Sequence, residues 1–452
     1  MKFTDLNLNT PLTNALTDLG FDTPTPIQAQ SFPVIMSGKD MVGIAQTGTG
    51  KTLAYLLPIL RVLPFSKQLN PRVLILVPTR ELVVQVVGEL EKLSAYINNR
   101  IIGIYGGTNI NTQKKAVAEG ADIIVATPGR LYDLALARAI ALKSIQKIVI
   151  DEVDVMLDLG FKFQIENIIE LLPRQRQGIL FSATMTDKVT KIIDDSFINP
   201  TTISVAVSGT PLENITQTRY NVPNFYTKLN LLGNLLDDYE TFYKTIIFAR
   251  NKRMADRIYD FLEETFAGES CVIHSNKTQN YRLRSIRQFE EGDNRILIAT
   301  DVMARGIDID SVSQVISLDT PDYPENYIHR IGRTGRAEKK GNAILMSTPN
   351  ELGYLEKIEH LMKIKIDELP FPENVEVSTE LTPEERPKVV EIDTTRRRKN
   401  QEIEESGAAF HEKSQKNSKT NQGGSYRREI AKKYKKPKTK GDKNYNLRNK
   451  KK

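Results

Sequence analysis

Two short strings in this chain carry the residue types that could do chemistry. Ala45-Gln46-Thr47-Gly48-Thr49-Gly50-Lys51-Thr52 has the form of a phosphate-binding loop, with Ala45 in the slot of the first glycine and Gly50-Lys51-Thr52 intact. Glycines let backbone N–H groups curl around phosphate oxygens without side-chain clash, and a helix N-terminus behind them favours negative charge. In such a loop Lys51 reaches the β/γ-phosphates and the Thr52 hydroxyl ligates Mg²⁺. Further on, Asp151-Glu152-Val153-Asp154 follows the apolar run Ile148-Val149-Ile150, which reads as a buried parallel strand. A carboxylate at the C-terminal end of such a strand is where an α/β nucleotide site needs its metal ligand. Together the two strings predict a site that binds and hydrolyses a nucleoside triphosphate.

The elements that must position these residues show as an alternation. Apolar runs at 73–77, 123–126, 148–150 and 178–181 are separated by charged amphipathic stretches such as 80–93 and 161–172. A second series follows at 245–248, 271–274, 295–299, 315–318 and 343–346, with helices suggested at 253–266 and 282–289. This pattern specifies α/β architecture with parallel sheets, once in each half. Residues 206–218 contain Ser-Gly-Thr-Pro-Leu-Glu-Asn, turn chemistry that fits a linker. The expected organisation is a first domain over 1–209, a linker over 210–218 and a second domain over 219–368. That second domain is expected to close near Ile366, after an apolar helix at 352–364. A basic tail, extended and then disordered, is expected over 369–452.

Composition narrows the class. With 452 residues and 40% hydrophobic content, the chain suffices for about two or three domains with sizeable cores. Residues 1–12 lack the apolar segment of a secretion signal, and no apolar run reaches the ~20 residues of a membrane span. A cytoplasmic protein that makes no membrane contact is expected. Cys271 is the single cysteine and there are four histidines, so disulfides and transition-metal sites are not expected. The net charge of +7 hides an asymmetry. Residues 396–452 hold 20 Lys and Arg against 6 Asp and Glu, whereas the preceding 395 hold 43 against 50. A basic segment poor in aliphatics cannot bury enough surface to fold alone; it suits a polyanion bound by counterion release, or a solubilising tail.

Further strings surround the phosphate loop. Gly20-Phe21-Asp22-Thr23-Pro24-Thr25-Pro26-Ile27-Gln28 precedes it, with Phe3 upstream; Pro78-Thr79-Arg80-Glu81-Leu82, Gly106-Gly107 and Thr127-Pro128-Gly129-Arg130 follow. The second half has Gln279-Asn280-Tyr281-Arg282, then Thr300-Asp301-Val302-Met303-Ala304-Arg305-Gly306-Ile307-Asp308, and finally His329-Arg330-Ile331-Gly332-Arg333-Thr334-Gly335-Arg336. Singly most are weak: a Thr-Pro-Gly-Arg turn is usually structural, and His274 fits a satisfied buried histidine as well as a functional one. In this order, over residues 3–365, they resemble the DEAD-box RNA helicase family. Val153 stands where the family name has Ala, and Met303 where the family usually has Ala. The extra volume of Val153 is expected to overpack its turn by about 1–3 kcal/mol unless its neighbours are smaller.

The resemblance implies two tandem RecA-like domains flanking a cleft, ATP and Mg²⁺ as cofactors, and RNA as a partner held without regard to sequence. It implies that Phe21 contacts the base and that Gln28 reads the adenine edge, for which a carboxamide offers both donor and acceptor. Thr47, Gly48, Thr49, Gly50, Lys51 and Thr52 would hold the phosphates, Asp308 the ribose, and Thr52 with Asp151 the Mg²⁺. Glu152 would orient and deprotonate the attacking water, with Arg333 and Arg336 as arginine fingers from the second domain. Thr79, Arg80, Gly107, Thr127, Arg130, Arg282 and Thr300 would face the RNA backbone. Asp154, Ser182, Thr184 and His329 would couple hydrolysis to domain closure. The implied function is RNA-stimulated ATP hydrolysis with local unwinding of short RNA duplexes and ribonucleoprotein remodelling, by a monomer with ribonucleoprotein partners. The alternative is an ATP-dependent RNA clamp that unwinds little; a DNA translocase on the same plan is disfavoured by the Gln28 and Asp-Glu-x-Asp strings.

Overall fold

Apolar runs rich in β-branched residues, most of them followed by a helix, form the middle of two parallel sheets of seven strands each among the described residues. The computed structural model describes residues 1–45, 48–205, 215–304, 312–335 and 341–386. The expectations placed on Thr47, Asp308, Arg336 and the tail from 387 onward lie outside the described residues.

The first sheet comprises β1 (Met41–Ile44), β2 (Val73–Leu76), β3 (Ile101–Ile104), β4 (Ile123–Ala126), β5 (Lys147–Ile150), β6 (Gln177–Ser182) and β7 (Thr201–Ser204), in the order β3-β4-β2-β5-β6-β1-β7. Because side chains alternate across a strand, each strand feeds two cores. Val73 and Ile75 of β2 enter one core, with Ile123, Val125 and Val149. Leu74 and Leu76 enter the other, with Ile124, Ile148 and Ile150. Helices cover both faces, which is why the strands read as nearly continuous apolar runs.

The second sheet comprises β8 (Ile215–Asn221), β9 (Thr245–Ala249), β10 (Ser270–Ile273), β11 (Ile296–Thr300), β12 (Gln314–Ser317), β13 (Gly341–Ser347) and β14 (Asp367–Glu368), in the order β10-β11-β9-β12-β13-β8-β14. Counted from its own first strand, this order is the same as in the first lobe. Both lobes belong to one compact unit, Met1–Glu385.

Two expected boundaries move. β8 begins at Ile215, inside the segment read as linker, and pairs with β13 along its whole length. The second lobe also runs beyond 368. Val375 and Thr382 are buried, and Leu369 and Phe371 pack against the core around Leu231 and Ile247. In an open α/β sheet ligands bind outside the carboxyl ends of the strands, and at that edge β1, β2 and β5 lead to the phosphate loop, to Thr79 and to Asp151.

Candidate active site between two lobes

β1 ends at Ile44 and hands the chain to the phosphate loop. Gly48 and Gly50 take φ of 78° and 83°, the left-handed region where a Cβ is strained. Gly50 is the N-cap of the helix Lys51–Val62, and a Cβ there would meet Gln28 Nε2 at 2.3 Å. The glutamine is packed onto the loop: Nε2 donates to Gly50 O at 3.1 Å and Oε1 accepts from Thr25 N at 2.9 Å. Thr25 Oγ1 donates in turn to Thr49 O at 2.8 Å. Gln28 is therefore a clasp on the loop. Phe21, Gln28, Gly48, Gly50 and Thr52 share a cavity of about 430 Å³, onto which Phe21, 47% exposed, opens a ring.

Behind the loop, Lys51, Asp151 and Glu152 are all buried. Lys51 Nζ, Asp151 Oδ1 and Glu152 Oε2 have no hydrogen-bond partner among the described residues. Burying a charge without a partner is costly, so this trio fits a ligand that brings phosphate oxygens and a cation with it. The residues present thus suit ATP–Mg²⁺, with Lys51 toward the phosphates and Thr52 and Asp151 toward the metal. Glu152 has φ 53°, a non-glycine left-handed conformation that costs about 1–3 kcal/mol and concentrates at active sites. Burial pushes the carboxyls of Asp151 and Glu152 up, opposed by the charge of Lys51. A carboxylate shifted in that direction accepts a proton more readily. Val153 is fully buried among Ile148, Ile150 and Met156.

Asp154 is displaced the other way. Burial alone would raise it, but the charges of His329 and Lys51 and the hydrogen bonds from Thr184 and Val155 outweigh burial and lower it. Its Oδ2 accepts from Ala183 N at 3.1 Å, Thr184 N at 2.9 Å and Thr184 Oγ1 at 3.0 Å. Ser182 Oγ donates to Thr184 O at 2.6 Å and closes that turn. His329, on the helix Pro324–Ile331 of the second lobe, places Nε2 3.8 Å from the same Asp154 oxygen. Asp154, Ser182, Thr184 and His329 are thus one connected cluster spanning both lobes. Arg333 donates from Nε to His329 O at 3.3 Å, and its charge favours the ionised form of Glu152 across the cleft. Arg330, from the same string, is an internal anchor instead. Fully buried, it grips Asp301 through Nε and Nη2 at 2.6 and 2.9 Å and donates to Asp319 O at 2.7 Å.

On another face, Thr79, Arg80, Gly107, Thr127, Arg130 and Arg282 line one groove of about 710 Å³ together with Lys277, Gln279 and Met303. Thr300 ends β11 half-buried and is not among the lining residues. Several of these residues also have structural work. Thr79 Oγ1 accepts from Leu82 N at 3.2 Å and caps the helix Arg80–Leu93. Arg130 Nη1 donates to Thr108 O and Gln113 Oε1, both at 3.1 Å. Gly107, at φ 81°, leaves room for the Arg80 guanidinium, since a Cβ would lie 1.9 Å from its Nη1. Glu81 is a residue that sequence reasoning missed. Its Oε1 accepts from Gln279 Nε2 and forms an ion pair with Arg282 Nη1 across the lobes, each at 3.1 Å. The signal was present, because Glu81 is the one carboxylate in its string.

The chain's likenesses to known proteins follow the same layout. A sequence model of the DEAD/DEAH box helicase family matches residues 25–192, and a model of the helicase conserved C-terminal domain matches 227–338. The DEAD-box ATP-dependent RNA helicase CshA of Bacillus cereus is 41% identical over 371 residues, 82% of this chain and 70% of that protein. Its namesake in Bacillus subtilis is 40% identical over 374 residues, covering 82% and 74%. Among solved structures, S. cerevisiae Dbp5 bound to RNA and ADP BeF3 is 30% identical with a TM-score of 0.75, covering 81% of this chain and 95% of that one. DEAD-box helicase Mss116 bound to ssRNA and UDP-BeF is 28% identical with a TM-score of 0.74, covering 82% and 80%.

Proposed function

The chain belongs to the DEAD-box ATP-dependent RNA helicase family, and from that premise we propose that it couples RNA-stimulated ATP hydrolysis to local separation of short RNA duplexes and to ribonucleoprotein remodelling. The observation that carries this reading is the two-lobed cluster in which Asp154 meets His329 at 3.8 Å beside the buried Glu152. Lys51 offsets phosphate charge, while Thr52 and Asp151 would hold Mg²⁺, which would supply charge screening at the phosphate oxygens. Glu152 orients the attacking water and takes its proton. Arg333 answers the charge that develops at the γ-phosphate, a finger contribution typically worth about 10³–10⁵ in rate; Arg336 is assigned the same work. ATP and RNA each touch both lobes only when the lobes meet, so each favours the closed state for the other.

The groove offers arginines, threonine hydroxyls and a glycine-lined edge, groups suited to phosphates and sugar hydroxyls rather than to base edges. That chemistry supports binding of RNA irrespective of sequence, with 2′-hydroxyls setting RNA apart from DNA. The RNA recorded with Dbp5 and with Mss116 supports the same assignment. A clamp with little unwinding is the second reading, favoured by the buried Glu81–Arg282 pair that ties the lobes together.

A strand-separation assay on a short RNA duplex with a single-stranded flank tests the choice. ATP-dependent separation that is lost in Glu152→Gln is the expected result. ATP hydrolysis without separation supports the clamp, and equal stimulation by DNA removes the RNA assignment.

A further inference from the structure

The helix behind the phosphate loop carries Thr52 and Tyr55 three residues apart, and therefore on neighbouring positions of one face. Tyr55 is fully buried, and its ring packs against Phe181 with centroids 5.7 Å apart. Its hydroxyl reaches past the helix to β5's carboxyl end: Oη donates to Asp151 Oδ2 at 3.1 Å. The carboxylate is thereby made asymmetric. Oδ2 is engaged, and Oδ1 remains buried without a partner among the described residues.

We propose that Tyr55 is a positioning residue of the divalent-cation site, its hydroxyl fixing the Asp151 carboxylate in the orientation that receives Mg²⁺. The proposal rests on the reading of Thr52 and Asp151 as the metal-holding pair. Without the hydroxyl, the Asp151 carboxylate is free to rotate and must spend an oxygen finding another donor. Partners that orient a ligand from behind typically change metal affinity about 10- to 100-fold, and a single neutral hydrogen bond belongs at the lower end, about tenfold. A tyrosine that merely satisfied its own buried hydroxyl would affect folding and leave the metal dependence alone.

Tyr55→Phe in the full chain tests the proposal, with binding of a fluorescent ATP analogue measured by titration with Mg²⁺ and again in excess EDTA. The expected result is a rise of about tenfold in the Mg²⁺ concentration for half-maximal binding, with metal-free affinity unchanged. Mn²⁺ in place of Mg²⁺ gives a second readout, a broadened electron-paramagnetic spectrum of the bound ion in the variant. No shift in metal dependence, or an equal loss with and without metal, overturns the proposal. Asp151→Asn separates it from the reading beneath it. Metal dependence that survives Asp151→Asn removes the metal-site assignment itself; metal dependence lost there but unmoved in Tyr55→Phe removes only the role of Tyr55.

Discussion

Glu152 has to be charged to work and is buried where charge is penalised. Its folded pKa lies above the unfolded value because of burial, with Lys51 opposing. The folded state therefore binds the proton more tightly, and stability falls as pH rises through the interval between the two values. Above that interval the whole penalty is present; below the ordinary carboxylate range it is gone. Glu152→Gln is accordingly expected to raise the melting temperature of the nucleotide-free chain at neutral pH, by about 2–4 °C for each kcal/mol relieved. Calorimetry across a pH series should show that gain vanishing in acid. The same variant should retain ATP and RNA binding while losing about 10²–10⁴ in turnover; near-normal turnover removes Glu152 as the base. At this scale dense strings marked residues that the structure gathers, such as Gln28 with Gly50 and Asp154 with Thr184, but not the part each one plays. Arg330 was not legible although it lies inside such a string, because nothing local tells an arginine that turns inward from one that faces a ligand. Its partners Asp301 and Asp319 lie 29 and 11 residues away.

Elements were legible in proportion to how fully they are buried. β2 and β4 are buried along their whole length and read as unbroken apolar runs, as does β5 after Lys147. β1 is interrupted by Gly43, where a Cβ would lie 2.4 Å from the Phe181 ring, and β8 has exposed polar positions between its apolar ones; neither stood out. The strip 369–385 was the least legible, since it makes little regular structure and its partners are distant side chains. Asn224 Nδ2 donates to Ser378 O at 2.6 Å, and Ser378 N donates to Thr227 Oγ1 at 3.0 Å. Glu385 Oε1 accepts from Phe225 N at 2.8 Å, at the first turn of the helix Phe225–Leu236. A carboxylate there acts as a cap supplied from a remote part of the chain. Glu385→Ala is expected to cost about 1 kcal/mol, on the scale of a lost helix cap, with RNA-stimulated ATP hydrolysis unchanged at room temperature. An unaltered denaturation midpoint removes the cap's role. The phosphate loop makes the sharper demand. Gly50→Ala places a methyl at positive φ and against Gln28, a strain of about 1–2 kcal/mol, so ATP affinity should fall about tenfold or more in a nucleotide titration.

The two described lobes are two copies of one strand order. That duplication could not be read from the apolar runs, which reveal strands but not their neighbours in the sheet. What could be read was the separation of charge. The 395 residues that include both lobes carry more acid than base, and the excess of cations lies in 396–452. An RNA approaching the lobes therefore meets local attraction at Arg80, Arg130 and Lys277 in the groove, set in a surround of the opposite net sign. Screening confines such charges to about 8 Å at physiological salt, so the groove can hold RNA that has arrived but gathers it poorly. Counterion release from phosphates by the basic residues of 396–452 would supply the longer-range term. Truncation after residue 395 keeps the strip that packs on the second lobe and should leave RNA-free ATP hydrolysis unchanged. RNA affinity should drop, and the slope of log affinity against log salt should flatten by about 0.7 for each single-strand phosphate the tail had neutralised. Should RNA affinity at low salt be the same with and without the tail, the attraction must come from the groove alone and the tail serves solubility.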